Sequence, residues 1–294
     1  MPSVFFSSLS QRAYAQIKRT QPVMWLMALC IGLLQACASP APSNYQPQRG
    51  QMGKDVMWLP TSPELVRKML DAAQVTSQDL VVDLGAGDGI IPITAATQYG
   101  ATSVGIEYNP KLADFARRQV EQAGVAQRVK IIQGDLFQED FSHATVVTMY
   151  LLPELNLQLR PTLLNMKPGT RLVSHAFDMS DWEPDQTIET ARERAFMWIV
   201  PAQLAGRWRL LDAQGQLLGR FQLTQRFQNV GGQMELKVGT QALLGARLRG
   251  NELRFQYVGL DDGLHSVRLN VQGTQLEGDM TVHGQTHPVL ARQE

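Results

Sequence analysis

Cysteine is nearly missing from this chain of 294 residues: there are two, Cys30 and Cys37, both among the first forty positions. The remainder therefore has no disulfide, no cysteine-based zinc site and no thiol nucleophile. An excess of one charge is also missing, since 27 Lys and Arg balance 27 Asp and Glu. Without surplus cations to displace phosphate counterions, no nucleic-acid partner is expected. Short basic groups such as the one around Arg247 and Arg249 read as the solvated face of a strand. Five scattered histidines give no reason to expect a metal. No apolar run is long enough to span a bilayer comfortably; the longest at the N-terminus, residues 23–34, is about twelve residues. What is present is the composition of a globular protein, 44% hydrophobic and 18% charged, with length enough for two domains.

Residues 1–54 are expected to be a targeting or anchor segment plus a linker, and are set apart from the fold. Arg12, Lys18 and Arg19 precede the apolar run, and Leu34-Gln35-Ala36-Cys37 closes it. This resembles a bacterial lipobox, in which a signal peptidase cleaves before a cysteine that is then acylated, although Gln35 stands where a small residue is usual. Ala38-Ser39-Pro40-Ala41-Pro42-Ser43-Asn44 then reads as a flexible tether. An uncleaved membrane anchor is the other reading. Either gives membrane association through the N-terminal segment, and the basic flank predicts export of the residues beyond the apolar run.

From Thr61 the pattern alternates between helix and strand. Ser62 can cap a helix that opens with Pro63 and Glu64, and Leu65, Val66, Met69, Leu70 and Ala73 recur at helical spacing. The run 80–84 suits a buried parallel strand and leads into Gly85-Ala86-Gly87-Asp88-Gly89. A glycine-rich bend between strand and helix lets a ligand approach the backbone. Asp83, two places before the first glycine, would repel a pyrophosphate. It would attract the sulfonium and ammonium of S-adenosylmethionine, so the bend favours that ligand over NAD. A second run ends in Glu107, placed to accept ribose hydroxyls. A third, 129–133, leads to Asp135, placed to reach an adenine amino group, with Leu136 and Phe137 beside the ring. A fourth ends at Tyr150 and Glu154, at the carboxyl end of a central strand, where open α/β sheets keep their chemistry.

Together, Asp55-Val56-Met57-Trp58-Leu59-Pro60-Thr61, Val82-Asp83-Leu84-Gly85-Ala86-Gly87-Asp88-Gly89, Gly105-Ile106-Glu107-Tyr108-Asn109-Pro110, Gly134-Asp135-Leu136-Phe137, Val146-Val147-Thr148-Met149-Tyr150-Leu151-Leu152-Pro153 and Val173-Ser174-His175-Ala176-Phe177 resemble the small class I lysine methyltransferases of the adenine nucleotide translocase and ATP synthase c-subunit. The resemblance covers about residues 55 to 185. It implies a seven-stranded Rossmann-like sheet, S-adenosylmethionine as methyl donor, and a protein lysine as acceptor, with a membrane protein as one candidate bearer of it. The expected cofactor-binding residues are Asp83, Gly85, Ala86, Gly87, Glu107, Asp135 and Leu136; no metal is expected. Methyl transfer from a sulfonium is an in-line displacement in which alignment carries most of the acceleration. Tyr150 is expected to line the transfer channel, its ring face favouring a cation, and Glu154 to orient the amine. His175, in an apolar strand, reads as a structural histidine.

After Pro201 the character changes. Thirteen of the 24 glycines lie between Gly206 and Gly284, and strict alternation appears around Phe221, Met234, Leu253 and Val267. Seven or eight such strands would make a small antiparallel barrel or sandwich. Gly206-Arg207-Trp208 resembles the opening of lipocalin-like barrels, but the region reads as an accessory packing module without catalytic groups. The expected architecture is thus α/β: 1–54 leader and linker, 55–201 a methyltransferase domain, 202–294 a β-rich domain. The expected activity is S-adenosylmethionine-dependent N-methylation of protein lysine. Methylation of a small molecule or lipid, and non-catalytic binding of an adenosyl ligand by a lipoprotein, are the alternatives. The last draws on a conflict: export would part the domain from the cytoplasmic pool of S-adenosylmethionine.

Overall fold

Ser62 caps the first helix of the described residues as its sequence predicts. Its Oγ accepts the Leu65 N–H at 3.2 Å, and Pro63 opens α1, Pro63–Ala72. Such a cap contributes about 1 kcal/mol. The amphipathic spacing puts Leu65, Val66, Met69 and Leu70 on one fully buried face, each worth roughly 1.5–3 kcal/mol over an exposed position. A computed structural model describes residues 45–294. The basic flank, the apolar run and the lipobox-like motif lie outside the described residues.

Beyond α1 come β1 (Leu80–Leu84), α2 (Ile90–Tyr99), β2 (Thr102–Glu107), α3 (Pro110–Gln122), β3 (Val129–Gln133), β4 (Val146–Met149), α4 (Pro153–Leu164), β5 (Arg171–His175), β6 (Gln186–Glu189) and β7 (Arg194–Ile199). Their seven strands form one sheet in the order β3-β2-β1-β4-β5-β7-β6. The first five run parallel, while β7 is antiparallel to both β5 and β6. This is the Rossmann-like sheet expected from the sequence. Strand order reverses between β1 and β4, so their carboxyl ends open the crevice in which such sheets bind ligands. Covered on both faces, β4 has all four residues buried, as a central parallel strand must.

Nine further strands follow: β8 (Gly206–Asp212), β9 (Leu217–Arg226), β10 (Asn229–Leu236), β11 (Gly239–Ala242), β12 (Leu244–Arg249), β13 (Glu252–Val258), β14 (Leu264–Gln272), β15 (Gln275–Val282) and β16 (Gln285–Gln293). They make an up-and-down antiparallel sheet that closes through β16 on β8 and ends at β11 on one side and β12 on the other. The Gln241 side chain of β11 bonds across that seam to the end of β13, donating to Val258 O at 2.8 Å and accepting the Val258 N–H at 2.9 Å. The result is a nearly closed barrel. The sequence suggested seven or eight strands; β11, with no buried residue, carries too little alternation to be read. Trp208, Phe221, Phe255 and Tyr257 fill the interior in a chain of ring contacts 5.0–6.4 Å apart, so the barrel is packed rather than hollow.

Both sheets belong to the compact unit Gln46–Glu294, and barrel hairpins join them. The β9–β10 turn brings Phe227 over Trp182 at 5.7 Å, and the Trp182 indole N–H donates to Gln228 Oε1 at 2.9 Å. At the β12–β13 turn, Gly250 O accepts the Ala202 N–H at 2.8 Å.

Candidate active site

The carboxyl ends of β1, β2 and β4 open into a cleft whose floor is the glycine bend. Both Gly85 and Ala86 donate their N–H to Ile106 O at 2.9 Å, which ties the bend to the end of β2. Gly87 has φ +57°, and a Cβ there would lie 2.5 Å from Trp58 Nε1. Only glycine satisfies both constraints.

Asp83 is 3% exposed near the end of β1, where Thr148 Oγ1 on β4 donates to its Oδ1 at 2.6 Å. Burial, with Asp88 and Glu107 nearby, pushes its carboxyl up to about 7; burial also raises Asp88 and Glu107. Glu107 ends β2, and its two oxygens accept the N–H groups of Gly87 at 2.9 Å and Asn109 at 2.8 Å. These fix the carboxylate while leaving lone pairs on both oxygens. Asp135, past the end of β3, accepts the Phe137 N–H at 3.0 Å, and Lys54 Nζ lies 2.8 Å from its other oxygen. The hydrogen bond from Lys54 holds this carboxyl below the usual carboxylate range.

Asp83, Gly85, Ala86, Gly87, Glu107, Asp135 and Leu136 all line this one cleft, as does Tyr150. Glu154 does not. It sits exposed in the first turn of α4, because Pro153 starts the helix there and turns that position outward. Tyr150, immediately after β4, packs its ring on His175 with centroids 3.8 Å apart. His175 is buried and pairs through Nδ1 with Thr61 Oγ1 at 3.0 Å. Burial lowers its pKa, which suits the structural role read from the sequence.

Sequence reasoning missed the cover. Residues 50–58 fold back as a small hairpin, with Gly50 N–H to Trp58 O and Trp58 N–H to Gln51 O both at 2.9 Å. It closes one side of the cleft and carries Lys54, which lies 5.2 Å above the Tyr108 ring. The pattern of this segment is neither helical nor strand-like, so only the fold reveals its place.

Among the described residues, the lining holds Asp55, Asp83, Asp88, Glu107 and Asp135 against a single cation, Lys54. Such a surface repels phosphates and attracts a cationic ligand. With a glycine-rich bend and carboxylates at three successive strand ends, it fits an adenosyl sulfonium and not a dinucleotide.

The family profile described as the ANTKMT methyltransferase domain matches residues 83–186. A protein-lysine N-methyltransferase of Saccharolobus islandicus (strain REY15A) is 44% identical over 136 residues, which span 46% of this chain and 84% of that protein. The Mus musculus lysine N-methyltransferase named for the ATP synthase c-subunit is 32% identical over 124 residues, 42% of this chain and 50% of that protein. The chain thus spans most of the archaeal relative and half of the mouse one. A crystal structure of an RNA methyltransferase from Salinibacter ruber in complex with S-adenosyl-L-homocysteine is 47% identical, with a TM-score of 0.49, covering 50% of this chain and 96% of that one.

Proposed function

From the premise that the chain belongs to the ANTKMT-type family of S-adenosylmethionine-dependent methyltransferases, we propose that it N-methylates lysine in a protein. When bound, S-adenosylmethionine supplies a methyl group on a sulfonium, open to in-line attack by a nucleophile. The observation that carries the reading is the acidic cleft, five carboxylates to one cation, at the switch point of the sheet. Asp83 would hold the α-ammonium, Glu107 the ribose and Asp135 the adenine amino group, with Leu136 against the ring. Tyr150 would form the wall between donor and acceptor. Since alignment supplies most of the acceleration in such a transfer, a rigid wall and a deep cleft matter more than a strong base. Glu154, outside the lining, is left to meet the acceptor protein at the surface.

Lysine as acceptor is supported by the names of the archaeal and mouse relatives. A membrane protein as the bearer of that lysine is part of the same proposal, drawn from an N-terminal sequence that reads as a membrane tether. Calorimetry with S-adenosylmethionine and S-adenosylhomocysteine tests the site. Asp83→Ala and Glu107→Ala should each abolish binding, and unchanged affinity in both would remove the assignment. Radiolabelled transfer to membrane extracts, with mass spectrometry of the labelled protein, tests the acceptor. Binding without transfer to any extract would favour a non-catalytic adenosyl receptor.

A further inference from the structure

Beside the cofactor cleft lies a second groove, and Leu59, Pro60 and Tyr150 line both. Its far side comes from the end of β5 and from the β6–β7 turn. Here the Ala176 N–H donates to Arg194 O at 2.8 Å, and Ala176 itself has φ +67°, a conformation that costs a non-glycine residue energy and persists only where the surroundings impose it. That clamp holds the β6–β7 turn, and with it Glu193, on the groove wall across from Tyr150.

Glu193 differs from the other charged residues of the groove. Arg49, Glu189, Arg192 and Arg194 are exposed, whereas the Glu193 side chain is 23% exposed. Ser62 donates to it from Oγ and from its N–H, so the carboxylate is fixed in place. His175 Nε2 is 3.7 Å away, but burial keeps this imidazole neutral at physiological pH. Among the described residues no lysine or arginine forms an ion pair with Glu193. A fixed, partly enclosed carboxylate without a cationic partner, across from an aromatic ring, is a receptor for an ammonium group.

We infer that this groove is the acceptor entrance and that Glu193 binds the ammonium of the incoming lysine. The inference rests on the methyltransferase reading and adds to it the residue that selects the acceptor. A lysine side chain has an apolar stem and a charged tip. Glu193 would capture the tip at the entrance, and Leu59, Pro60 and the Tyr150 ring, which line both groove and cleft, would take the stem as the tip passes into the cofactor cleft and loses its proton there. A neutral side chain of the same length would gain the apolar contact and lose the ionic one.

The test uses the full chain loaded with S-adenosylhomocysteine, titrated by calorimetry with N-acetyl-lysine methylamide and with its neutral twin, N-acetyl-norleucine methylamide. The wild type should prefer the lysine probe by about tenfold, equivalent to about 1.4 kcal/mol. Glu193→Gln should bind both probes alike while keeping its S-adenosylhomocysteine affinity. Equal binding of the two probes by the wild type, or a lysine preference that survives in Glu193→Gln, overturns the inference. If the variant folds poorly after losing its bonds to Ser62, equal binding of the two probes by the wild type still overturns the inference. Failure of S-adenosylhomocysteine itself to bind would instead sink the underlying cofactor reading, so the two failures are told apart.

Discussion

Asp83 concentrates the electrostatics of the cleft in one side chain. Its carboxyl is pushed up to about 7 by burial, from a reference of 3.8. Between those values the folded chain binds a proton that the unfolded chain has released. The contribution of Asp83 to stability is therefore full below the unfolded value and is lost as pH rises towards 7. Asp83→Asn, which cannot ionise, should raise the melting temperature of the ligand-free protein above pH about 7 and leave it nearly unchanged near pH 4. A cationic ligand adds the opposite linkage, because it favours the ionised carboxyl. S-adenosylhomocysteine, with its α-ammonium, should bind more tightly as pH rises through about 7, releasing a proton on binding below that point. Calorimetry in buffers of different ionisation enthalpy would count this proton. No uptake or release in the wild type would mean that Asp83 does not face the ligand's charge.

At the scale of elements, legibility followed locality. An apolar run closed by an acid or a glycine bend is visible within a few residues, which is why β1, β2, β3 and the positions of Asp83, Glu107 and Asp135 could be read directly. The cover and the acceptor groove depend on partners far apart in the chain. Lys54 reaches Asp135 across 81 positions, and Ser62 reaches Glu193 across 131. Neither pairing leaves a period in the sequence. Glu154 shows the same dependence on the fold: its nearness to Tyr150 is sequential, while it stands exposed in the first turn of α4 and outside the cleft lining. The loop after β5 likewise hides its purpose until the barrel is in view. Trp182 in that loop is fully buried, lies against Trp198 at 6.0 Å and Phe227 at 5.7 Å, and bonds to Gln228. Trp182→Ala should cost about 3–5 kcal/mol, since it empties a large buried site and leaves a polar partner unpaired. Urea denaturation would measure this loss, and a cost under about 1 kcal/mol would show that the hairpin contact is not a true core.

For the whole molecule, the question is what a packed barrel does for a sheet that carries all the site residues. Its β9–β10 hairpin grips one loop of the methyltransferase unit. Arg226 pairs with Asp181, which also pairs with Arg160 on α4, and Gln228 donates to Glu183 O at 2.7 Å. Exposed ion pairs of this kind contribute about 1 kcal/mol or less each. The aromatic contact of Trp182 with Phe227 supplies most of the hold. The gripped loop begins at Ala176 and Phe177, beside the acceptor groove, and Asn156 of α4 braces it by donating to Phe177 O and Asp178 O. The cofactor cleft draws chiefly on the ends of β1, β2 and β3 and on the covering hairpin, whereas the bonds and ring contacts of the β9–β10 turn fall on the loop after β5 and on Arg160 of α4. Loosening the grip should therefore fall on the acceptor side. The double variant Phe227→Ala, Arg226→Ala should keep its S-adenosylhomocysteine affinity while raising KM for the acceptor several-fold, and its melting temperature should drop in a single transition. Equal losses of cofactor and acceptor binding would mean that the barrel supports the sheet as a whole. An unchanged KM would reduce the barrel to a passenger packed against a self-sufficient enzyme.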